Sequence, residues 1–136
     1  AEFEKWLPTL ERALSDPLGG LIESYGKAVR VHDGAAITQQ DLVALLEQLR
    51  KVSVYRNVLC HGSWRSIPDD NGRSIPLFVD KSGRVFDTPI DTAFLQQIQC
   101  NVVELACEIM NTVTLMGWQF PGSSGPGIPI SSKLKN

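Results

Sequence analysis

Residues 38–61 carry the strongest helical pattern in this chain, and that pattern contains a charge. Apolar side chains recur there at helical spacing, namely Leu42, Leu45, Leu46, Leu49 and Val52. At about 100° per residue, Arg56 falls within about 40° of the line through Leu45 and Leu49. Burying a charge is costly unless it is paired or faces a shared cavity. The pattern therefore predicts a long amphipathic helix with an arginine in its apolar stripe.

Three further helical segments predict an all-α fold, a bundle of about four helices. The first is expected over about 2–15, and the second after Asp16-Pro17, which supplies a cap and a proline for the first turn. Thr38 with Asp41 resembles a capping box at the start of the long helix. The last helix is expected to follow Thr88-Pro89, with Thr88 as its cap.

The segment between the last two helices differs in character. Residues 62–86 hold strand-like apolar runs separated by turn signals at Asp70-Asn71-Gly72 and Lys81-Ser82-Gly83. We expect a small β-hairpin or meander inserted before the last helix. No internal repeat is evident. Residues 1–118 form the helical domain in this interpretation, and 119–136 form a flexible Pro/Gly/Ser-rich tail.

Charge and composition narrow the classes of function. The 136 residues carry a formal net charge of −2, with a sequence pI of about 5.6. This excludes a globally basic surface that binds nucleic acid indiscriminately, so any contact with nucleic acid is local, at a few arginines. Of three cysteines, Cys100 and Cys107 are interpreted as small core residues.

Metal, membrane and export signals are missing from the sequence pattern. The cysteines form no CxxC pair, so neither a zinc site nor a disulfide framework is predicted, and no cofactor is implied. No apolar run approaches the ~20 residues of a membrane span, and no signal-peptide pattern is present. We expect a cytoplasmic protein.

The end of the long helix combines a fixed cation with a titratable ring. His61 follows Arg56 by five positions and precedes Gly62, a helix-stop residue. Together they can bind a phosphate and move a proton beside it. The alternative is structural: an arginine whose stem covers the core and a histidine that serves as a C-terminal helix cation.

Arg56-Asn57 followed by His61 resembles the signature of the HEPN superfamily, an arginine and a histidine separated by a few residues. HEPN domains are all-α bundles, and the motif lies at the end of a late helix in them. The resemblance implies metal-independent RNA cleavage, in which the RNA 2′-hydroxyl attacks the adjacent phosphate. His61 is then the general acid or base, Arg56 stabilises the phosphate charge, and Asn57 orients either group.

The resemblance also implies partners. HEPN proteins typically dimerise so that two motifs face each other, and we expect a homodimer with a composite cleft that cuts RNA. A toxin or defence role implies an antitoxin or regulatory protein. Ser63 occupies the position where some HEPN toxins have a modifiable tyrosine, which argues against that mode of control.

Further RNA contacts are expected beside the motif. Arg65 and Trp64 are the candidates, by charge and by base stacking, although a tryptophan at a helix end more often covers the core. Lys51 and Arg73 are interpreted as solvated surface, and Tyr55 as surface or dimer rim.

Two other functions remain open on the sequence alone. One is a catalytically inactive HEPN-like helical module that binds a nucleotide or a protein. The other is a plain dimerisation or adaptor bundle, in which Arg56 pairs with an acid such as Glu47 or Glu104.

Overall fold

The computed structural model describes residues 7, 8, 11, 17–32, 37–64, 69–119, 124, 125 and 127–130. Within these residues the chain forms three helices: α1 (Leu18–Val31), α2 (Gln39–His61) and α3 (Thr92–Leu115). The predicted all-α class is confirmed at this level. The expected first helix, over about 2–15, lies outside the described residues except at residues 7, 8 and 11, which are helical.

The core lies where α1 packs against the first half of α2, close to the end of α3. Its buried members are Ile22, Val29, Leu42, Leu46 and Met116. At Gly26 an added Cβ would lie 2.8 Å from Leu46 Cδ1, so this glycine permits the close approach of the two helices. The core is thus at one end of α2, and the Arg56–His61 motif is at the other.

Capping residues explain where α2 and α3 begin. Thr38 caps α2, accepting a hydrogen bond from the Asp41 N–H at 3.1 Å as predicted. Asp91, rather than Thr88, caps α3 through a 2.8 Å bond from the Phe94 N–H. The expected start of this helix was therefore a few residues too early, because Asp91 supplies the stronger local acceptor.

A Schellman motif ends α3. Gly117 has φ +76°, the Gly117 N–H bonds to Thr114 O, and the Trp118 N–H bonds to Val113 O. The glycine is therefore the helix-stop residue that its position predicts. Nearby, Asn111 both donates to and accepts from the backbone of Ile130, which holds residues 127–130 of the tail against α3.

The loop between α2 and α3 contains no strand within residues 63, 64 and 69–91. Three isolated antiparallel bridges stand in place of the expected meander: Ser63 with Leu77, Ser74 with Ile90, and Val79 with Val85. The two predicted turns do form, with Gly72 and Gly83 at positive φ. The Ser74–Ile90 pairing cannot continue at the next bonded position, because Pro76 has no N–H to donate.

Candidate functional site at the end of helix α2

The motif arginine lies on the predicted line of α2 but is exposed in the single chain. The line through Leu45 starts in the core and becomes half-buried at Leu49 and Val52 before it reaches solvent at Arg56. Val58, on a different line, is 0% exposed and takes the core position at this end of the helix. Loop residues pack against this end of α2. They bury the face that carries Val58, which differs from the face that packs against α1.

Arg56 bonds to its neighbour in the motif. Its Nη1 donates to Asn57 Oδ1 at 3.0 Å. The ion pairs of the described residues do not include one between Arg56 and Glu47 or Glu104. Within the described residues of one chain, Arg56 therefore makes neither of these two pairs, and the adaptor interpretation stays open.

Gly62 ends α2 by close approach to its neighbours. Its backbone is extended, with φ −68° and ψ 145°, and its N–H donates to Val58 O at 2.8 Å. An added Cβ would lie 2.5 Å from Val58 O and 3.0 Å from Pro76 Cβ. The glycine is required because the loop lies directly on the helix end, which places loop residues beside His61.

Asn57 and His61 line one cleft, which we call the His61 cleft. These side chains, four residues apart on α2, lie on the same face of the helix. The opposite wall comes from the loop, and the cleft has a volume of about 550 Å³; its other lining residues include Val54, Phe78, Asp80, Lys81 and Ser82. The histidine and the amide of the motif thus share a site with a lysine and a hydroxyl.

A tight turn presents Lys81 to this cleft. The Asp80 carboxylate accepts hydrogen bonds from the Ser82 hydroxyl at 2.6 Å, the Ser82 N–H at 2.8 Å and the Arg84 N–H at 3.0 Å. The Ser82 hydroxyl and then the Arg84 N–H lower the pKa of Asp80 to about 2. The Asp80 carboxylate bonds within its own turn and pairs with Arg84. Lys81 is therefore the cation that this turn presents to the cleft.

The same turn occurs once more in the loop. Asp69 accepts from the N–H groups of Asn71 and Arg73 and pairs with the Arg73 side chain, as Asp80 does eleven residues later. Its pKa is lowered, mainly by the Arg73 N–H. Neither this repeated turn nor the place of Lys81 in the cleft was predicted from the sequence. The pattern Asp-x-Asn/Ser-Gly-Arg, which both turns share, would have indicated the repeat.

Tyr55 anchors the loop to the helices. Its ring makes edge-to-face contacts with Phe86 at 6.4 Å and Phe94 at 5.4 Å between centroids. It is half-buried, and its expected position at the surface or the dimer rim stays a prediction. These contacts hold the loop, α2 and α3 together behind the cleft.

Of the two expected RNA-binding residues, Trp64 does not line the His61 cleft. Trp64 is 45% exposed, and its Nε1 donates to Leu59 O at 3.3 Å, so it covers the end of α2 with one face in solvent. Arg65 lies outside the described residues. Arg73 is exposed and pairs with Asp69, and Lys51 is exposed on α2.

The cysteines differ in environment from the prediction. Cys60 and Cys100 are exposed and Cys107 is half-buried, all three as free thiols. The core position expected for Cys100 was wrong, because this part of α3 places Ile98 and Leu105 on the buried side. Among the described residues, no group of three histidine, cysteine or acidic side chains is arranged to hold a metal ion.

Comparisons with known proteins give no match: no family model, curated protein or solved structure is similar to this chain. In the part of the chain that the structure describes, no helix has the length and apolar character required to cross a membrane.

Proposed function

We propose that this chain is a HEPN-like, metal-independent endoribonuclease of the toxin or defence type that acts as a homodimer. One observation carries the proposal. Asn57 and His61 line the same cleft, Lys81 enters it from the loop, and Arg56 is bonded to Asn57. A base, an amide and two cations are thus gathered at one end of α2.

The chemistry requires a group that moves protons. In the proposed step the 2′-oxygen of the RNA attacks the adjacent phosphorus, and the bond from phosphorus to the 5′-oxygen breaks. One imidazole accepts the proton of the 2′-hydroxyl, and a second acid protonates the departing 5′-oxygen. The products are a 2′,3′-cyclic phosphate and a 5′-hydroxyl. In a homodimer the partner subunit can supply that second acid.

The cations stabilise the charge that develops on the phosphate. Arg56 presents a planar fork of donors and bonds to Asn57, which lines the cleft, although Arg56 itself does not line it. Lys81 adds a point charge inside the cleft. This local pair of cations supplies the positive charge that an acidic chain lacks overall.

The homodimer is proposed on the α2 stripe. Leu49, Val52 and Leu59 are half-buried along the line that also holds exposed Arg56. Contact between two such stripes would bury these side chains further and bring two copies of Arg56 into one groove. Cytoplasmic location and an antitoxin or regulatory partner remain predictions.

Cleavage of RNA by histidine variants tests the proposal. The chain has two histidines, so His32→Ala is the matched control for His61→Ala. His32 lies at the end of α1 against Trp118, with ring centroids 5.9 Å apart, well away from the His61 cleft. In buffer that contains EDTA, we expect the parent and His32→Ala to cut RNA, and His61→Ala to be slower by roughly 10²- to 10⁴-fold.

The same assay identifies the alternatives. Equal rates for the two variants would exclude His61 as the proton-transfer group. If the parent cuts neither single-stranded nor structured RNA, the catalytically inactive nucleotide- or protein-binding module becomes the better description.

A further inference from the structure

A second cleft adjoins the His61 cleft along α2, and we call it the Tyr55 cleft. Its volume is about 330 Å³, within the ~300–1,000 Å³ range of sites for small ligands. Helix α2 contributes Lys51, Val54 and Tyr55, and the loop contributes Arg84 and Phe86 among others. None of these residues is assigned a part in the cleavage step.

The two clefts form one continuous surface. Val54, Phe78 and Asp80 line both of them. Lys51 and His61 are ten residues apart on the same helix, which corresponds to about 15 Å at ~1.5 Å per residue. A chain of nucleotides that passes His61 along α2 therefore reaches Lys51 with its next residues.

The walls of the Tyr55 cleft fit a flat, aromatic ligand. Tyr55 and Phe86 are held in place by their mutual edge-to-face contact, and Tyr55 also contacts Phe94. A cleft whose aromatic walls are already fixed can accept a base without a large cost in side-chain ordering. Val54, 48% exposed, adds apolar surface between the two clefts.

Charged groups at the rim fit the remainder of a nucleotide. Lys51 lines the Tyr55 cleft and is exposed, so it can contact a phosphate, whereas Arg84 lines the cleft as the partner of Asp80. Asp87 and Thr88 line it as well. A carboxylate accepts hydrogen bonds only, and it therefore favours bases with an exocyclic amino group, which uracil lacks.

We propose that the Tyr55 cleft binds the base of a nucleotide one or two positions from the one cut at His61, with Lys51 on its phosphate and a preference for amino-bearing bases over uracil. The cleft is a specificity subsite in this account. Its assignment to RNA rests on the proposed nuclease function; its capacity to bind a nucleotide does not.

Titration with mononucleotides tests the subsite without any cleavage. The full ¹⁵N-labelled chain is titrated with 5′-AMP and with 5′-UMP, and the amide signals of residues 84–88 are followed by NMR. We expect AMP to shift these signals with a dissociation constant at least about fivefold lower than that of UMP. Lys51→Ala should weaken AMP binding about fivefold, and Lys27→Ala, an exposed lysine on α1, should not.

A second variant tests whether the loss of AMP binding comes from the cleft itself and not from a change in the fold. Val54→Glu keeps a good helix former at an exposed position and places a negative charge between the clefts, so it should also weaken AMP binding while the NMR spectrum stays folded. Absence of shifts at residues 84–88, or shifts that neither variant reduces, would overturn the subsite. An AMP affinity equal to that for UMP would overturn the proposed preference.

Cleavage assays on the same samples separate the two proposals. RNA cleavage that depends on His61, without nucleotide binding in the Tyr55 cleft, overturns the subsite and leaves the nuclease. Nucleotide binding that Lys51→Ala weakens, without any RNA cleavage, supports the cleft and overturns the nuclease.

Discussion

Arg56 donates a hydrogen bond from Nη1 to Oδ1 of Asn57 at 3.0 Å, and Asn57 in turn lines the cleft that contains His61. The asparagine therefore connects an exposed cation to the proposed proton-transfer group. In a regular helix, Arg56 and His61 are about 140° apart around the axis, so they do not converge unaided. Asn57 is the residue that both bonds to Arg56 and lines the His61 cleft, which Arg56 itself does not line.

Removal of this amide should reduce RNA cleavage more than it reduces stability. For Asn57→Ala we expect kcat/KM to fall roughly tenfold, equivalent to ~1.4 kcal/mol, because Arg56 loses the acceptor that orients it. Steady-state cleavage rates and thermal unfolding of the same sample measure both quantities. Gln97→Ala, which removes a surface amide bonded to Asn101 on α3, is the control. Unchanged kcat/KM for Asn57→Ala would contradict the orienting role.

Gly62→Ala should destabilise the fold by about 1–3 kcal/mol, because the new Cβ would overlap Val58 O and press on Pro76. Gly72→Ala is the matched control. Its Cβ meets nothing within 4 Å, but its φ of +71° is strained for alanine, which costs roughly 1–2 kcal/mol. Urea unfolding gives the free energy of unfolding of both variants. It therefore compares the cost of steric overlap at residue 62 with the cost of backbone strain at residue 72. The account fails at this point if Gly62→Ala is as stable as the parent.

The carboxylate of Asp80 should remain ionised well below the usual range for aspartate. Its pKa of about 2 lies below the ordinary 3.8, chiefly because of the bonds from Ser82 and Arg84. Since the folded-state pKa is the lower one, its contribution to stability is complete above pH ~4 and is lost as the pH falls toward 2. The chemical shift of the Asp80 carboxyl carbon, followed by NMR against pH, measures this directly. A midpoint near 4 would show that the turn does not hold the carboxylate.

Loss of the Tyr55 ring should separate the loop from the helices. Tyr55→Ala is expected to cost about 2–3 kcal/mol, because the edge contacts with Phe86 and Phe94 disappear from a half-buried position. Tyr55→Phe keeps the ring and should cost less than about 1 kcal/mol. Chemical denaturation gives both values. Equal stabilities for the two variants would mean that the ring contributes little to packing.

An acid in the half-buried stripe of α2 tests the proposed dimer. Val52→Glu should produce a monomer and reduce RNA cleavage, since a charge at the centre of an apolar contact is left without a partner. Light scattering after size exclusion reports the mass. Lys51→Glu, at an adjacent exposed position, introduces the same side chain on another face and should stay dimeric. If the parent is a monomer, the composite site is excluded.

Local signals in the sequence predicted much of the backbone. The cap at Thr38, the end of α2 near His61, the two glycine turns and the stop at Gly117 all depend on a few neighbouring residues. Such features follow from short-range hydrogen bonds, which a sequence displays directly.

Features that depend on tertiary packing were predicted less well. Helical periodicity placed Arg56 on the apolar line of α2, but it did not show that this line reaches solvent at Arg56. The loop packs on a different face at that end and buries Val58 instead. The inclusion of Lys81 in the His61 cleft depends on how a turn twenty residues downstream lies on the helix. Neither the spacing nor the composition of the chain contains that information.

The chemistry at the scissile phosphate is the most direct test of the central claim. An oligonucleotide of DNA with a single internal ribonucleotide is incubated with the protein in EDTA, and the products are weighed by mass spectrometry. The account predicts one cut, on the 3′ side of the ribose, with a 2′,3′-cyclic phosphate on one fragment and a 5′-hydroxyl on the other. Cleavage of the all-DNA strand, a product with a 5′-phosphate, or loss of all cleavage on addition of EDTA would contradict it.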